Sequence, residues 1–435
     1  MTYTVYDDYK ESEIHWAMKI PKHWKVSKLK RIFKFEKGKN SNVLTEEYVK
    51  SNEGPYPVYS GQTKNNGVLG SIDSYEYDFK NNIILVTTVG AKAMTTFLIN
   101  GKLSLSQNCA LIKLKSSDDF SDYYYYLCKI LFDYERGLIP DILQPSLRIG
   151  DLNTYNIIKP PLDEQKQIAN YLDKETSKID ETIAKNEELI QLLEEKRIAL
   201  INQVVTKGLN SDVPMKDSGI ELIGVIPKHW DKTKIRFLGT LQNGISKSSE
   251  YFGHGYPFIS YGDVYNNDEI PDVINGKSET TISERVVYSV QKNDIFFTRT
   301  SETTDEVGIT SLCTKTIENG TFSGFLIRFR LFKNIDINVN FLKFYLQSIA
   351  IRHYFAKMMV IVTRASLGQN LLNNLNILLP PMDEQKQIAD YLDKETSIID
   401  KTIEKIKVNI NLLEEYKTSL IHHVVTGKVD VRYEV

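Results

Sequence analysis

Two polar turns of this chain carry side chains suited to reading the edges of nucleic-acid bases. SGQTKNN holds Ser60, Gln62, Lys64, Asn65 and Asn66, and TRTSE holds Arg299, Thr300, Ser301 and Glu302. Arg and Lys pair bidentately with guanine, and Asn and Gln with adenine, so these residue types form a direct-readout set. Further along stand Gln144, Ser146 and Arg148, and 220 positions after Ser146 come Ser366 and its neighbours Arg364, Gln369 and Asn370. Phosphate has its own candidate. From Lys19 to Lys39 nine bases, with Lys28, Lys30 and Arg31 at their centre, face the single acid Glu36, a local concentration suited to a polyanion. The whole chain has a formal charge of only −2, so its grip on a polyanion is expected to be modest and shared with partners.

No catalytic constellation accompanies these residues. Pro160-Pro161 follows Lys159 and Pro380-Pro381 follows Leu379, so neither is an NPPY- or DPPY-type methyl-transfer motif. Gly427-Lys428 is followed by Val429 and lacks the upstream glycine of a phosphate cradle. PDILQ from Pro140 and PDVIN from Pro271 open like a nuclease site but have no ExK partner at matching distance. Cys109, Cys128 and Cys313 show no metal-ligand or disulfide spacing and read as buried thiols. His422 and His423 are adjacent on a helix and diverge, so they do not suit one metal. No apolar run approaches the ~18 residues of a membrane span, and the polar, acidic N-terminal stretch is unlike a secretory signal. A cytoplasmic protein is expected.

The elements that must position these residues are duplicated. PPLDEQKQIANYLDKETS from Pro160 returns as PPMDEQKQIADYLDKETS from Pro380, and IPKHW from Ile20 returns from Ile226. Residues 160–206 and 380–426 agree at 31 of 47 positions, which marks a tandem repeat rather than shared helical composition. Between Pro161 and Gly208 there is neither proline nor glycine, so a long helix is predicted, with Asp163 capping it. Leu172, Thr176, Ile179, Ile183, Asn186, Ile190, Leu193, Arg197, Leu200 and Val204 alternate at spacings of four and three. The second copy repeats the seam as Leu392, Thr396, Ile399, Ile403, Ile406, Ile410, Leu413, Lys417, Leu420 and Val424. Each buried Leu or Ile is worth roughly 1.5–3 kcal/mol, so such a seam needs a partner of like period. The nearest is the other copy, crossing antiparallel about an internal pseudo-two-fold axis, with Asn186, Arg197 and Lys417 helping to fix register.

The expected architecture is α+β. Residues 1–158 form a first mixed α/β domain, 159–209 a central long helix, 210–378 a second mixed domain and 379–435 a C-terminal long helix. Strand-like runs lie at Ile83–Val89, Asp294–Thr300 and Phe325–Phe332. DYYYYLCKILF from Asp122 and NFLKFYLQSI from Asn340 read as core helices capped by Asp122 and Asn340. Outside the repeated segments the two domains match poorly, as expected of one frame bearing divergent inserts.

Taken together, IPKHW opening each half, PPLDEQ or PPMDEQ closing each insert and a heptad helix after each resemble the specificity subunit of type I restriction-modification enzymes. The entry motif of that family fits KDSGIELIGVIPKHW from Lys216 well and KESEIHWAMKIPKHW from Lys10 loosely. The resemblance spans the chain. It implies a non-catalytic DNA-recognition subunit in which each domain reads one half of a split, asymmetric site in double-stranded DNA, with the paired helices setting the spacer. It also implies docking of two adenine-N6 methyltransferase subunits carrying S-adenosylmethionine and of two ATP- and Mg2+-dependent restriction subunits, with no cofactor in this chain. A coiled-coil scaffold without DNA contact is the alternative, but it leaves the divergent inserts and the basic run unexplained.

Overall fold

The structure, a computed structural model, describes residues 4–140, 142–301, 306–358 and 365–433. It divides into two compact units, one of Met1–Asn186 with Lys407–Val435 and one of Glu187–Ile406, so the boundary between them falls inside both long helices.

In the first unit six strands form one sheet in the order Phe33–Glu36, Cys109–Leu114, Tyr77–Thr87, Thr96–Leu105, Glu53–Tyr59, Val68–Ile72. Neighbours run antiparallel except where Val58 and Tyr59 lie parallel to Ser104 and Leu105. Alternation sorts the IILV run onto two faces. Ile84 and Val86 join the core that contains Tyr123, Leu127 and Phe132 of the helix Ser121–Gly137, while Ile83 and Leu85 join a smaller cluster on the other face. The second unit has a four-stranded sheet, Gly239–Asn243, Leu326–Leu331, Ile295–Thr298, Thr310–Leu312, and a three-stranded one centred on Phe252–Ile259. Its helices Val339–Gln347 and Ile349–Met358 supply Phe341, Tyr345 and Phe355 to the core.

Helix starts differ from expectation in three places. Asn338 caps the helix Val339–Gln347, accepting the Phe341 N–H at 2.9 Å, and Asn340 lies within it. Asp122 sits in the first turn of its helix, accepting from Asn82 at 3.1 and 3.2 Å, and Asp163 likewise lies inside the first long helix. In each case the first helical residue, Val339, Ser121 or Leu162, comes two positions earlier than the side-chain pattern suggests.

The first long helix is Leu162–Lys207, 46 residues, and the second is Met382–Val425, 44 residues. All the seam positions named above are buried or half-buried, and most of the residues between them are exposed. In the first unit Leu172 and Ile179 share a core with Leu420, Ile421 and Val424, and Lys417 meets Asp180 at 2.6 Å. In the second, Ile201 and Val204 share a core with Ile388 and Leu392, and Arg197 Nε lies 3.1 Å from Asp400 Oδ1. Rising numbers on one helix meet falling numbers on the other, so the helices run antiparallel within each unit. Lys417 and Arg197 are equivalent by the 220-residue offset, as are Asp180 and Asp400. Such half-exposed pairs contribute about 0–1 kcal/mol, and their value lies in register.

The repeated motifs meet at the helix starts. Trp24 Nε1 donates to Glu164 at 2.8 Å, His23 Nε2 lies 2.7 Å from the same carboxylate, and Tyr6 donates its hydroxyl at 3.1 Å. In the second unit Trp230 and His229 meet Glu384 at 3.0 and 2.7 Å. The adjacent glutamines work on the other side. Gln165 accepts the Phe120 N–H at 2.8 Å and donates to the Pro160 carbonyl at 2.9 Å, and Gln385 does the same with Asn338 and Pro380 at 2.9 and 2.8 Å. Each tryptophan also packs on the glycine that follows a long helix. Gly427 and Gly208 have φ of 71° and 79°, and a Cβ there would lie 3.0 Å from Trp24 or 3.3 Å from Trp230.

Glu164→Ala leaves the Trp24 N–H and Tyr6 hydroxyl buried without an acceptor, an expected loss of about 2–3 kcal/mol in urea unfolding. Glu164→Gln keeps one acceptor oxygen and is expected to recover most of that loss. Burial pushes the Cys109 thiol up to about 12 and the Cys313 thiol up to about 11, and raises that of Cys128. None of the three is expected to react with iodoacetamide at pH 8 in the native state; modification before unfolding would contradict their burial.

Candidate nucleic-acid interface

At one end of the first sheet four segments meet through backbone hydrogen bonds. Gly61 donates to Gln107 at 3.2 Å, Thr88 to Asn108 at 2.7 Å, Leu147 to Thr88 at 2.8 Å and Gly90 to Pro145 at 3.2 Å. Val89 bridges to Ser146. This edge gathers Gln62, Lys64, Asn65, Asn108, Lys92 and Arg148. Lys64, Lys92 and Arg148 are exposed, and among the described residues none of the three forms an ion pair. Asn65 is held with φ of 49°, and Gln62 Nε2 donates to the Val68 carbonyl, so part of its capacity is spent within the turn.

The second unit rebuilds the same crossing from different residues. Ser323 donates to Ile259 at 3.0 Å as Ser106 does to Tyr59 at 2.7 Å, and Arg299 donates to Phe325 at 2.9 Å as Thr88 does to Asn108. Leu367 donates to Arg299 at 2.7 Å, and Thr300 pairs with Ser366 where Val89 bridges to Ser146. Half-buried Arg299 donates from Nη1 to the Gly324 carbonyl at 3.3 Å, which aims the guanidinium across this edge. Gln369 Nε2 donates to Asn243 at 2.9 Å.

A buried threonine anchors the loop in both units. Thr87 donates to the Lys92 carbonyl at 2.9 Å and accepts the Thr95 N–H at 3.0 Å; Thr298 donates to Glu306 at 2.8 Å and accepts from Ile309 at 2.9 Å. Both are fully buried. The loop Thr88 to Met94 in the first unit, and the described ends 299–301 and 306–308 in the second, therefore leave their own sheets from equivalent scaffolds.

The structure thus gathers Gln62, Lys64, Asn65 and Arg148 in one unit, and Arg299, Thr300 and Gln369 in the other. The backbone of Ser301 pairs with Ala365; Arg364 lies outside the described residues. Lys28, Lys30 and Arg31 are exposed on a different segment, where Lys25–Lys28 pairs with Asn156–Lys159 at the entry to the first long helix. Within the basic run Lys19, Lys22 and Lys34 are taken up by Glu11, Asp8 and Glu36. Sequence reading does not single out Lys92, Asn108, Asn243 or exposed Phe325. The one available signal is the resemblance of TTV at Thr87 to TRT at Thr298. Among the described residues no His, Cys, Asp or Glu group is arranged to hold a metal ion, and no helix is long and apolar enough to cross a membrane.

The sequence profile described as the type I restriction modification DNA specificity domain matches residues 21–195 and again 227–412. The chain belongs to that family. A type I restriction enzyme specificity subunit, MjaVIII of Methanocaldococcus jannaschii, is 24% identical over 98% of this chain and 97% of its own length. The EcoKI specificity subunit of Escherichia coli is 28% identical over 60% of this chain and 54% of its own length. The fold agrees with solved members. A chain from work on complex assembly and conformational transition of the type I R-M system gives a TM-score of 0.68 at 15% identity, covering 93% of this chain and 98% of that one. The HsdS subunit from Thermoanaerobacter tengcongensis gives 0.53 at 16%, covering 96% and 100%. This family member is accordingly a DNA-recognition specificity subunit, with two copies of the family domain in one chain. Nothing in these likenesses favours a scaffold without DNA contact.

If the threonine hydroxyls set the loops, Thr87→Val and Thr298→Val should each cost about 1–2 kcal/mol and speed amide exchange in their own loop alone. Hydrogen-exchange mass spectrometry reads this directly, and unchanged loop rates would contradict the anchoring role.

Proposed function

We propose that each unit reads one part of a two-part, asymmetric double-stranded DNA site through the loop edge described above. The supporting observation is that equivalent positions on one backbone frame carry different side chains: Val89 against Thr300, Asn108 against Phe325, Thr88 against Arg299. A shared frame with unlike readers suits two unlike half-sites. Lys64, Asn65, Gln62 and Arg148 serve the first unit, and Arg299, Thr300, Ser301, Gln369 and Arg364 the second. Lys28, Lys30 and Arg31 act on phosphate, which fixes position without reading sequence.

The chain itself performs no catalysis in this reading, in keeping with the missing methyl-transfer and phosphate-cradle motifs. It directs, in the cytoplasm, two methyltransferase subunits that bring S-adenosylmethionine and two restriction subunits that use ATP and Mg2+. Mapping methylated adenines in cells with and without the chain tests the proposal: a bipartite motif should vanish with it. Arg299→Ala is expected to relax one half of that motif by about 1–3 kcal/mol of discrimination; equal relaxation of both halves would contradict separate readers. Binding that falls steeply from 50 to 200 mM salt is expected of phosphate contacts.

A further inference from the structure

One side-chain contact recurs at the base of both loops. Arg136 donates from Nη1 to the Ala93 carbonyl at 3.3 Å, and Arg352 donates from Nη1 to the Val307 carbonyl at 2.6 Å. Ala93 and Val307 occupy the same place. Each is fully buried and immediately precedes a residue in the left-handed region, Met94 with φ of 68° and Gly308 with φ of 75°. The N–H groups of those residues close on Thr87 and Thr298 at 2.8 and 2.9 Å. Both arginines belong to the core helices, Ser121–Gly137 and Ile349–Met358, and Ser146 and Ser366 pair with Val89 and Thr300 at the outgoing side of each loop. The loop is therefore held on its outgoing side by the returning segment and on its incoming side by the arginine.

Stability alone does not account for this repetition. The Arg136 side chain is about a third exposed and also pairs with Asp133, so its removal opens a path from solvent along the vacated space, water can take over the Ala93 carbonyl, and the net loss would be small. A planar guanidinium instead adds direction, since its donors leave in a fixed fork. We infer that Arg136 and Arg352 are positioning residues for sequence discrimination, each setting the pose of one reading loop from behind without touching DNA. The inference rests on the assignment of these loops to DNA reading.

The test uses the full chain assembled with its cognate methyltransferase subunits, a library of randomised duplexes and sequencing of the bound fraction. Arg352→Ala should lower discrimination about tenfold in the half-site read by the second unit and leave the other half intact, with Arg136→Ala giving the mirror result. Arg352→Lys keeps a donor and should restore most of the selectivity. Thermal midpoints should stay close to wild type, and the salt dependence of binding should be unchanged because no phosphate contact is removed. Unaltered selectivity in both alanine variants, or loss in both halves tracking a fall in folded protein, overturns the positioning role. Should Arg352→Ala fail to fold, Arg352→Lys and Arg136→Ala decide by the same criteria. Failure of the wild-type complex to enrich any sequence would overturn the DNA-reading assignment itself, an outcome distinct from selective wild type with indifferent variants.

Discussion

A carboxylate at the start of each long helix, taking the indole N–H and the imidazole of a His-Trp pair, is the constraint on which the rest of each unit depends. Glu164 and Glu384 sit one residue before Gln165 and Gln385, which tie the helix start to the core helix beside it. Two consecutive side chains thus fasten three elements: the entry segment, the core helix and the long helix. Charge-assisted bonds of this kind are about twice as strong as neutral ones. An uncompensated partner would be costly in so enclosed a place. That explains in physical terms why IPKHW and DEQ survive duplication while the intervening sequence diverges: both sides of the junction lie outside the interior that varies.

Packing along the helices carries the same logic. The seam supplies most of the stabilisation through apolar burial, whereas Lys417 with Asp180 and Arg197 with Asp400 choose which positions meet. Equivalent drift is visible one layer out. Asp173 receives the Tyr126 hydroxyl at 2.6 Å, and its counterpart Asp393 receives the Lys343 ammonium at 3.2 Å. The acid has stayed on the long helix while the partner chemistry changed, so contacts between the long helix and the core helix are kept by geometry rather than by residue type.

Much of this was legible in the sequence. Long repeats, a period of seven and breaker-free stretches specify helices strongly, and the seam from Leu172 to Val204 falls where the spacing puts it. Helix starts were less legible because Asn338 and Asn340 are both good caps, and the choice rests on where Gln385 holds the chain. The loop edge was half legible. Gln62, Lys64 and Arg299 announce themselves by type, but Asn108, Lys92 and Phe325 reach the same edge only through long-range strand pairing. Parallel contact between Tyr59 and Leu105, or Ile259 and Phe322, leaves no local signature. Lys28, Lys30 and Arg31 show the converse: a dense charge run draws the eye although its position is set by the strand it flanks.

All three tryptophans of the chain lie at these junctions: Trp24 and Trp230 against their glutamates, and Trp16, whose carbonyl lies 3.0 Å from His422 Nε2. None lies on the loop edges. Tryptophan fluorescence, excited selectively over the 25 tyrosines, therefore watches the fastenings and is blind to the loops except through quenching at a distance. With Trp16 and Trp24 replaced by phenylalanine, the remaining indole becomes a private optical reporter for the second unit, at the cost of the Trp24–Glu164 bond in the first.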